Sequence, residues 1–293
     1  MRELTFIIDE ESSDVQIRDY LRNFGVSAAL LTKLKQTENG VTKNGAFAKT
    51  IEMLNQGDVL KIRIENSGHM PTPTKMDIEV CYEDEDILVL NKPAFLPVHE
   101  SLNHRGDTLS NFVSYYLNED TAFRAVFRLD RDTSGLVLIA KHELSASKLA
   151  GKIKKDYYAV VEGEIKEGSA INLPIARCGE SIIKRRVDEN GERAITHFEP
   201  ISTKNGNTLL KINLETGRTH QIRVHFSHIG HPLLGDELYG GKTDMINRQA
   251  LHCKTIYFEH PISEKEMIID CDFPEDFRKL IHVPLGTVPN VAL

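Results

Sequence analysis

The sequence predicts an α+β protein built around a large mixed sheet. Short apolar or alternating segments typical of strands lie at 87–90, 136–140, 157–161 and 209–214. Helical periodicity is confined to fewer segments, among them 109–117 and 145–154. Strands therefore outnumber helices, and they do not alternate with them regularly. That order favours a mixed sheet over a doubly wound parallel one.

The first 68 residues predict a small separate domain. Residues 15–24 and 28–35 have the apolar spacing of two helices, and residues 57–64 alternate like a strand. A stretch with two prolines, residues 69–76, is typical of an extended linker. We therefore predict an N-terminal domain at 1–68 and a second, larger domain at 77–293.

Composition limits the class of protein. The chain has 293 residues, 27% of them charged, and a net charge of −7, which argues mildly against a nucleic-acid partner. Basic residues nevertheless cluster, so one face could still hold RNA. The sequence has neither a long apolar run nor an apolar signal segment, and we expect a cytoplasmic protein with no membrane partner. Its four scattered cysteines are expected to be reduced, and nothing requires more than a monomer.

Two charged segments carry the strongest indication of a site. Residues 127–135 place carboxylates and arginines on a loop that leads directly into the apolar strand at 136–140. A loop anchored in this way can hold a carboxylate rigidly, with an arginine close enough to keep it ionised. Residues 214–225 form a second segment rich in charged and polar side chains. We expect the two segments to form the two halves of one site.

These segments resemble those of a known family. The motifs RLDRDTSG at 128–135 and TGRTHQIRVH at 216–225 strongly resemble the RluA-type pseudouridine synthases. Further blocks agree in the same order, namely 91–93 with 98–99, KDYYA at 155–159, HPLLGDELYG at 231–240, 250–252 and 260–261. The resemblance covers roughly residues 80–280. It implies a mainly antiparallel sheet flanked by helices, and an isomerase that converts uridine to pseudouridine in RNA.

The resemblance implies three catalytic residues. Asp130 matches the family's catalytic aspartate, which either attacks the sugar C1′ or acts as a base at C2′, and its neighbour Asp132 is the local competitor. Tyr157 matches the tyrosine that stacks on uracil. Adjacent side chains on a strand face opposite ways, so Tyr158 would point away from the site. Arg218 matches the arginine that pairs with the aspartate.

The expected substrate-binding residues are less specific. Arg128 could fill the gap left when the target base leaves the RNA stack, or could clamp a phosphate, and a structural ion pair is the alternative. Leu251 resembles an apolar residue that packs under the uracil ring. The remaining candidates are His220, Arg223, Lys92 and His99. The reaction needs no cofactor, and the histidine spacings around residues 220–231 do not match a metal motif, so we expect neither cofactor nor metal.

Two features depart from the family pattern, and several alternatives stay open. Phe127 stands where many relatives carry histidine, and Phe95 where they commonly carry a small or turn-forming residue.

The N-terminal domain is similar to the RNA-binding S4 domain, although the usual Ser-Arg pair is not evident. We expect ribosomal RNA as the substrate rather than transfer RNA. The alternative from another class is a catalytically silent RNA-binding or ribosome-assembly factor.

Overall fold

The computed structural model describes residues 1–66, 68–118, 122–179, 181 and 183–281. The strands are β1 (Arg2–Ile7), β2 (Val41–Lys43), β3 (Ala46–Phe47), β4 (Val59–Ile64), β5 (Glu79–Glu83), β6 (Ile87–Lys92), β7 (Ser134–Ala140), β8 (Lys154–Glu162), β9 (Ser169–Asn172), β10 (Ile175–Arg177), β11 (Arg185–Val187), β12 (Ile195–Lys204), β13 (Asn207–Leu214), β14 (Leu251–Glu259) and β15 (Glu266–Asp270). The helices are α1 (Ile17–Asn23), α2 (Ala28–Gln36), α3 (Leu109–Tyr116), α4 (Glu143–Leu149), α5 (Gln221–His228) and α6 (Glu275–Arg278).

An N-terminal unit has its own sheet and its own core. Strands β1, β4, β2 and β3 form a four-stranded antiparallel sheet in that order, and α1 and α2 contribute apolar side chains to its core. The alternate residues Leu60, Ile62 and Ile64 of β4 are buried, as strand periodicity requires. Residues 69–76, the predicted linker, form neither helix nor strand. The predicted second domain extends to residue 293, and its residues 282–293 lie outside the described part of the chain.

The larger unit is a nine-stranded sheet that confirms the α+β prediction. Its strand order is β5-β6-β7-β14-β8-β13-β12-β9, and β15 pairs with β14 beside this path. The strand pairs are antiparallel except for β7 and β14, which run parallel near the centre. Helices α3 and α5 pack against one face of the sheet and join its main apolar core. Strand β8 lies at the centre of this arrangement, between β13 and β14.

The parallel contact between β7 and β14 explains the glycine in the RLDRDTSG motif. Gly135 has φ +114° and faces Cys253 of β14 in register. A Cβ at this position would overlap the backbone of Cys253. Only glycine therefore allows the two strands to approach so closely. The loop at 127–133 is fixed at the point where it enters the sheet.

One helix predicted from the sequence is shorter than expected. The apolar spacing at 145–154 predicts a helix over that whole range, but α4 ends at Leu149 and β8 begins at Lys154. Gly151 lies between them with φ +72°, a left-handed conformation that ends the helix. The lysines at positions 152, 154 and 155 therefore lie on a loop and a strand. This placement brings them to the groove described below.

The N-terminal unit contacts the larger unit through a largely buried ionic contact. Arg2 donates to both carboxylate oxygens of Asp86, at 2.7 and 3.3 Å, and His142 Nε2 lies 2.9 Å from Asp86 Oδ1. Leu144 of α4 is buried within the core of the N-terminal unit. Burial opposes the ionisation of Asp86, but the bonds from His142 and Arg2 prevail and lower its pKa to about 2. We infer that the two units are held together in one orientation.

We expect Asp86→Asn to weaken this interface by about 2 kcal/mol at neutral pH, because the carboxylate pKa lies nearly two units below its ordinary value. A lowered carboxyl pKa contributes stability that is present above about pH 4 and is lost as the pH falls towards 2. Urea unfolding at pH 7 and pH 3 should therefore show a smaller pH dependence in the variant. Glu85→Gln is the control, since Glu85 contacts Arg2 at 2.8 Å but is exposed. Equal effects at both positions would contradict the interpretation.

Candidate active site

Asp130 lies on the loop that leads into β7, at the N-terminal end of this interior strand. Its main-chain carbonyl accepts a bond from Thr133 N at 3.1 Å, which closes a turn just before the strand. Its carboxylate is partly accessible, with 28% of the side chain exposed. Asp132, the competitor, is 22% exposed and pairs with the exposed Arg131 at 2.7 Å. Of the two carboxylates, Asp130 is the one that lines the pocket.

The arginine that pairs with Asp130 is Arg223. Its Nη1 donates to Asp130 Oδ2 at 3.1 Å, and its Nε and Nη2 donate to the two oxygens of Asp236 at 2.7 and 2.8 Å. Burial disfavours the charge, but Asp236 and Asp130 together raise the pKa of Arg223 above its ordinary value. A permanently charged guanidinium thus bridges a buried carboxylate and the partly exposed one.

The prediction that Arg218 pairs with Asp130 is wrong. Arg218 Nη1 lies 2.5 Å from the carboxylate of Glu192, and its Nε donates to the carbonyl of Arg193 at 3.1 Å. Arg218 does not reach Asp130 because it precedes α5, whereas Arg223 lies within that helix. Arg218 lies in the turn before the helix, where its main-chain N–H donates to Gln221 Oε1 at 3.0 Å. Arg223 lies in the first turn of α5, and that turn faces the loop of Asp130.

Tyr157 occupies the side of β8 that faces the pocket. It is buried and lines the pocket beside Asp130, whereas Tyr158 points to the opposite face and packs edge-on against Phe273 at 5.2 Å. This is the arrangement that strand alternation predicts. Burial, with contributions from Cys253 and Asp130, raises the pKa of Tyr157 well above its ordinary value. The phenol therefore remains protonated at neutral pH.

His220 stands next to Asp130 on a strained backbone. It has φ +58°, precedes α5, and places Nε2 3.8 Å from Asp130 Oδ2. Its Nδ1 lies 2.9 Å from the hydroxyl of Tyr239, which accepts the main-chain N–H of Arg185 at 2.9 Å. We infer that the Tyr239 hydroxyl donates a hydrogen bond to His220 Nδ1. The imidazole proton then lies on Nε2, which faces Asp130. Burial lowers the pKa of His220, and the charge of Asp130 opposes that shift.

Sequence analysis missed Asp236 and Tyr239 as members of the site. Asp236 is almost fully buried and holds Arg223, and the ring of Tyr239 lies 5.0 Å from the Arg223 guanidinium. Both residues belong to the HPLLGDELYG block, which carried the family resemblance. The block begins only six residues after the charged segment at 214–225, but its sequence does not show that the chain turns back to place Asp236 against Arg223. Its presence in the resemblance was the signal that could have directed attention to it.

Lys92, which was predicted to bind substrate, lines neither the inner pocket nor the groove. It is fully buried, and its Nζ donates to the carbonyls of Pro93, Leu96 and Arg131 at 2.8, 2.9 and 3.0 Å. Burial lowers the pKa of Lys92 to about 7, and the charges of Asp132 and Asp130 oppose this shift. The three carbonyls match the three protons of an ammonium group. Lys92 therefore joins the loop after β6 to the loop that carries Asp130.

The other predicted substrate-binding residues line the site. Leu251 is buried in the inner pocket beside Asp130, and the exposed Arg128 lies between this pocket and a wider groove. His99 lines the groove and packs edge-on against Phe123 at 5.0 Å. Burial and the nearby charge of Arg128 lower the pKa of His99.

A small pocket opens into a long groove at Asp130. The inner pocket has a volume of about 90 Å³, and Tyr157, Leu251 and Asp130 are among the residues that line it. The groove has a volume of about 980 Å³ and is lined by Arg128, Arg131, Lys152, Lys154, Lys155 and Arg218 among others. The groove suits an anionic chain in spite of the protein's negative net charge.

A possible metal-binding group lies away from this site, at the interface of the two units. Among the described residues, Asp84, Asp86 and His260 bring potential ligand atoms together. Protein groups already occupy these atoms: His260 Nε2 lies 2.8 Å from Asp84 Oδ2, and Arg2 and His142 form hydrogen bonds with Asp86.

No helix in the described part of the chain is long and apolar enough to cross a membrane.

The comparisons with known proteins define the class of protein. Residues 86–228 match the family described as RNA pseudouridylate synthase. The chain is 37% identical over 278 residues to the uncharacterised RNA pseudouridine synthase YjbO of Bacillus subtilis, covering 90% of this chain and 98% of that protein. It is 35% identical over 264 residues to ribosomal large subunit pseudouridine synthase D of Pseudomonas aeruginosa, covering 82% of each chain.

The fold agrees with solved structures. It superposes on human RNA pseudouridylate synthase domain containing 1 with a TM-score of 0.57 and 26% identity, over 68% of this chain and 84% of that one. The class is therefore that of isomerases that convert uridine to pseudouridine in RNA. This chain belongs to the RNA pseudouridine synthase family, within its RluA-type branch, as its motifs predicted.

Proposed function

We propose that this protein converts uridine to pseudouridine in structured ribosomal RNA, with Asp130 as the catalytic carboxylate. The observation that carries the proposal is the position of Asp130 where the inner pocket meets the groove, paired with Arg223 at 3.1 Å. A uracil in the inner pocket would place its glycosidic bond beside this carboxylate. The guanidinium orients the carboxylate.

The reaction rearranges bonds within one nucleotide. The N1–C1′ bond breaks, the uracil turns, a C5–C1′ bond forms, and the proton on C5 is lost while N1 gains one. Asp130 can attack C1′ to form a covalent intermediate, or remove a proton from C2′, and both routes leave it unchanged at the end. The balance requires no redox partner, and we propose that no cofactor or metal takes part.

Tyr157 and Leu251 would hold the detached base. Their side chains line the inner pocket together with Asp130, so a uracil could lie against the aromatic ring and the leucine. Because burial keeps Tyr157 protonated, we assign its ring the task of holding uracil, and not its hydroxyl the task of removing the C5 proton. Arg128, exposed at the junction with the groove, is suited to fill the gap that the flipped base leaves.

Ribosomal RNA is the substrate that we propose. Its support is the similarity to the Pseudomonas aeruginosa protein, which is named as a ribosomal large subunit synthase. We accordingly propose a cytoplasmic enzyme that acts as a monomer, with the N-terminal unit as a second RNA contact. Arg218 and the groove lysines would then bind phosphates.

Pseudouridine mapping tests this proposal. Ribosomal and transfer RNA from cells lacking the protein are compared with RNA from cells complemented with wild type. We expect at least one ribosomal site to disappear in the deletion and to return with the wild-type gene. A site that disappears from transfer RNA alone would change the substrate. A complete set of pseudouridines in the deletion would instead favour the RNA-binding factor.

A further inference from the structure

Phe95, in the loop after β6, has a strained backbone conformation. It has φ +63°, in the left-handed region that residues other than glycine and asparagine rarely adopt. Its side chain is 52% exposed. Among the described residues, its ring belongs to no apolar core cluster and stacks on no other aromatic ring. The fold therefore gains little from an aromatic ring at this position.

The strain persists because the loop around Phe95 is fixed on both sides. Lys92 Nζ donates to the carbonyls of Pro93 and Leu96, the residues that flank the segment. Beyond it, the carbonyls of Pro97 and Val98 accept bonds from the start of α3, at 2.8 and 3.1 Å. Backbone strain at a solvent-exposed residue held in this way is a feature of ligand-contacting sites.

The same contacts connect the loop of Phe95 to the groove. The ammonium of Lys92 also holds the carbonyl of Arg131, which is next to Asp130. Pro97, Val98 and His99 line the groove, and so does Arg131. Phe95 thus lies two residues before a segment that lines a basic channel, and its ring joins none of the apolar clusters of the described residues.

We propose that Phe95 stacks on an unpaired nucleobase of the RNA, next to the uridine that enters the pocket. The inference rests on the proposed function and adds a residue that selects the substrate. A basic groove that follows the backbone, with an exposed aromatic ring at its rim, is the combination by which proteins hold single-stranded RNA. The ring would favour uridines whose neighbour is unstacked.

Three substitutions of Phe95 test the proposal. The substrate is an RNA fragment around a uridine shown by mapping to depend on the wild-type protein. Phe95→Gly removes the ring and the strain, and KM should rise by roughly 5- to 100-fold, the loss expected for one base–aromatic stack. Phe95→Leu should raise KM nearly as much as Phe95→Gly does. Phe95→Tyr keeps the aromatic ring, and its KM should stay close to that of wild type. The melting temperature of Phe95→Gly should be no lower than that of wild type.

Asn205→Gly is the matched control for the backbone change. Asn205 also has a positive φ, +53°, and lies in the β12–β13 turn, at the end of β13 remote from Leu214 and the groove. Its replacement should leave KM unchanged. An unchanged KM in Phe95→Gly, or a melting temperature several degrees lower, would overturn the proposal. If wild type itself made no pseudouridine in this RNA, the proposed function would fail, which is a distinguishable result.

Discussion

Asp130→Asn is expected to bind its RNA and to lose turnover by on the order of 10⁴-fold or more. The amide keeps the size of the side chain and can still accept a bond from Arg223, so the fold and the groove should be preserved. It can neither attack C1′ as a carboxylate nor accept a proton from C2′. Single-turnover assays with excess enzyme, combined with filter binding of the same RNA, separate the loss of chemistry from a loss of affinity.

Asp132→Asn is the matched control for this experiment. It changes the same residue type two positions along the same loop, but its carboxylate pairs with Arg131, and Asp132 lines neither the inner pocket nor the groove. We expect a single-turnover rate close to that of wild type. If Asp130→Asn retained its rate, or if Asp132→Asn lost it equally, the assignment of the catalytic carboxylate would be incorrect.

The sequence was sufficient for the parts of the site that depend on strands. A charged loop followed by an apolar run identified the position of Asp130 at the entrance of β7. The alternation of side chains along β8 distinguished Tyr157 from Tyr158, because one face of a central strand meets the pocket and the other meets α6. Local periodicity determines these directions, and a single sequence displays it.

Local periodicity could not identify the arginine that pairs with Asp130, nor the buried position of Lys92. Arg218 and Arg223 differ by whether they precede or follow the start of α5, and alternation at 220–225 fits a strand edge as well as a helix. Lys92 was predicted at the substrate, whereas three main-chain carbonyls from two loops hold it in the interior. Such contacts between remote segments are set by tertiary packing.

Arg223→Met is expected to remove both stability and activity. Asp236 is 1% exposed, so losing its bidentate partner leaves a buried carboxylate unpaired, at a cost of about 3–5 kcal/mol in the free energy of unfolding. Urea unfolding measures this cost. Arg218→Gln is the control, because an exposed pair such as Arg218–Glu192 contributes about 0–1 kcal/mol. The control should keep the chemical step and raise KM at most.

The double variant Arg223→Met, Asp236→Leu separates the two roles of Arg223. Replacing both members of a buried ion pair with apolar side chains is often neutral for stability, so most of the lost free energy should return. Turnover should not return, because Asp130 would still lack the guanidinium that orients it. Single-turnover rates and unfolding free energies of the same preparations decide the matter. If activity recovered together with stability, Arg223 would be required only for folding stability, and its contact with Asp130 would have no role in catalysis.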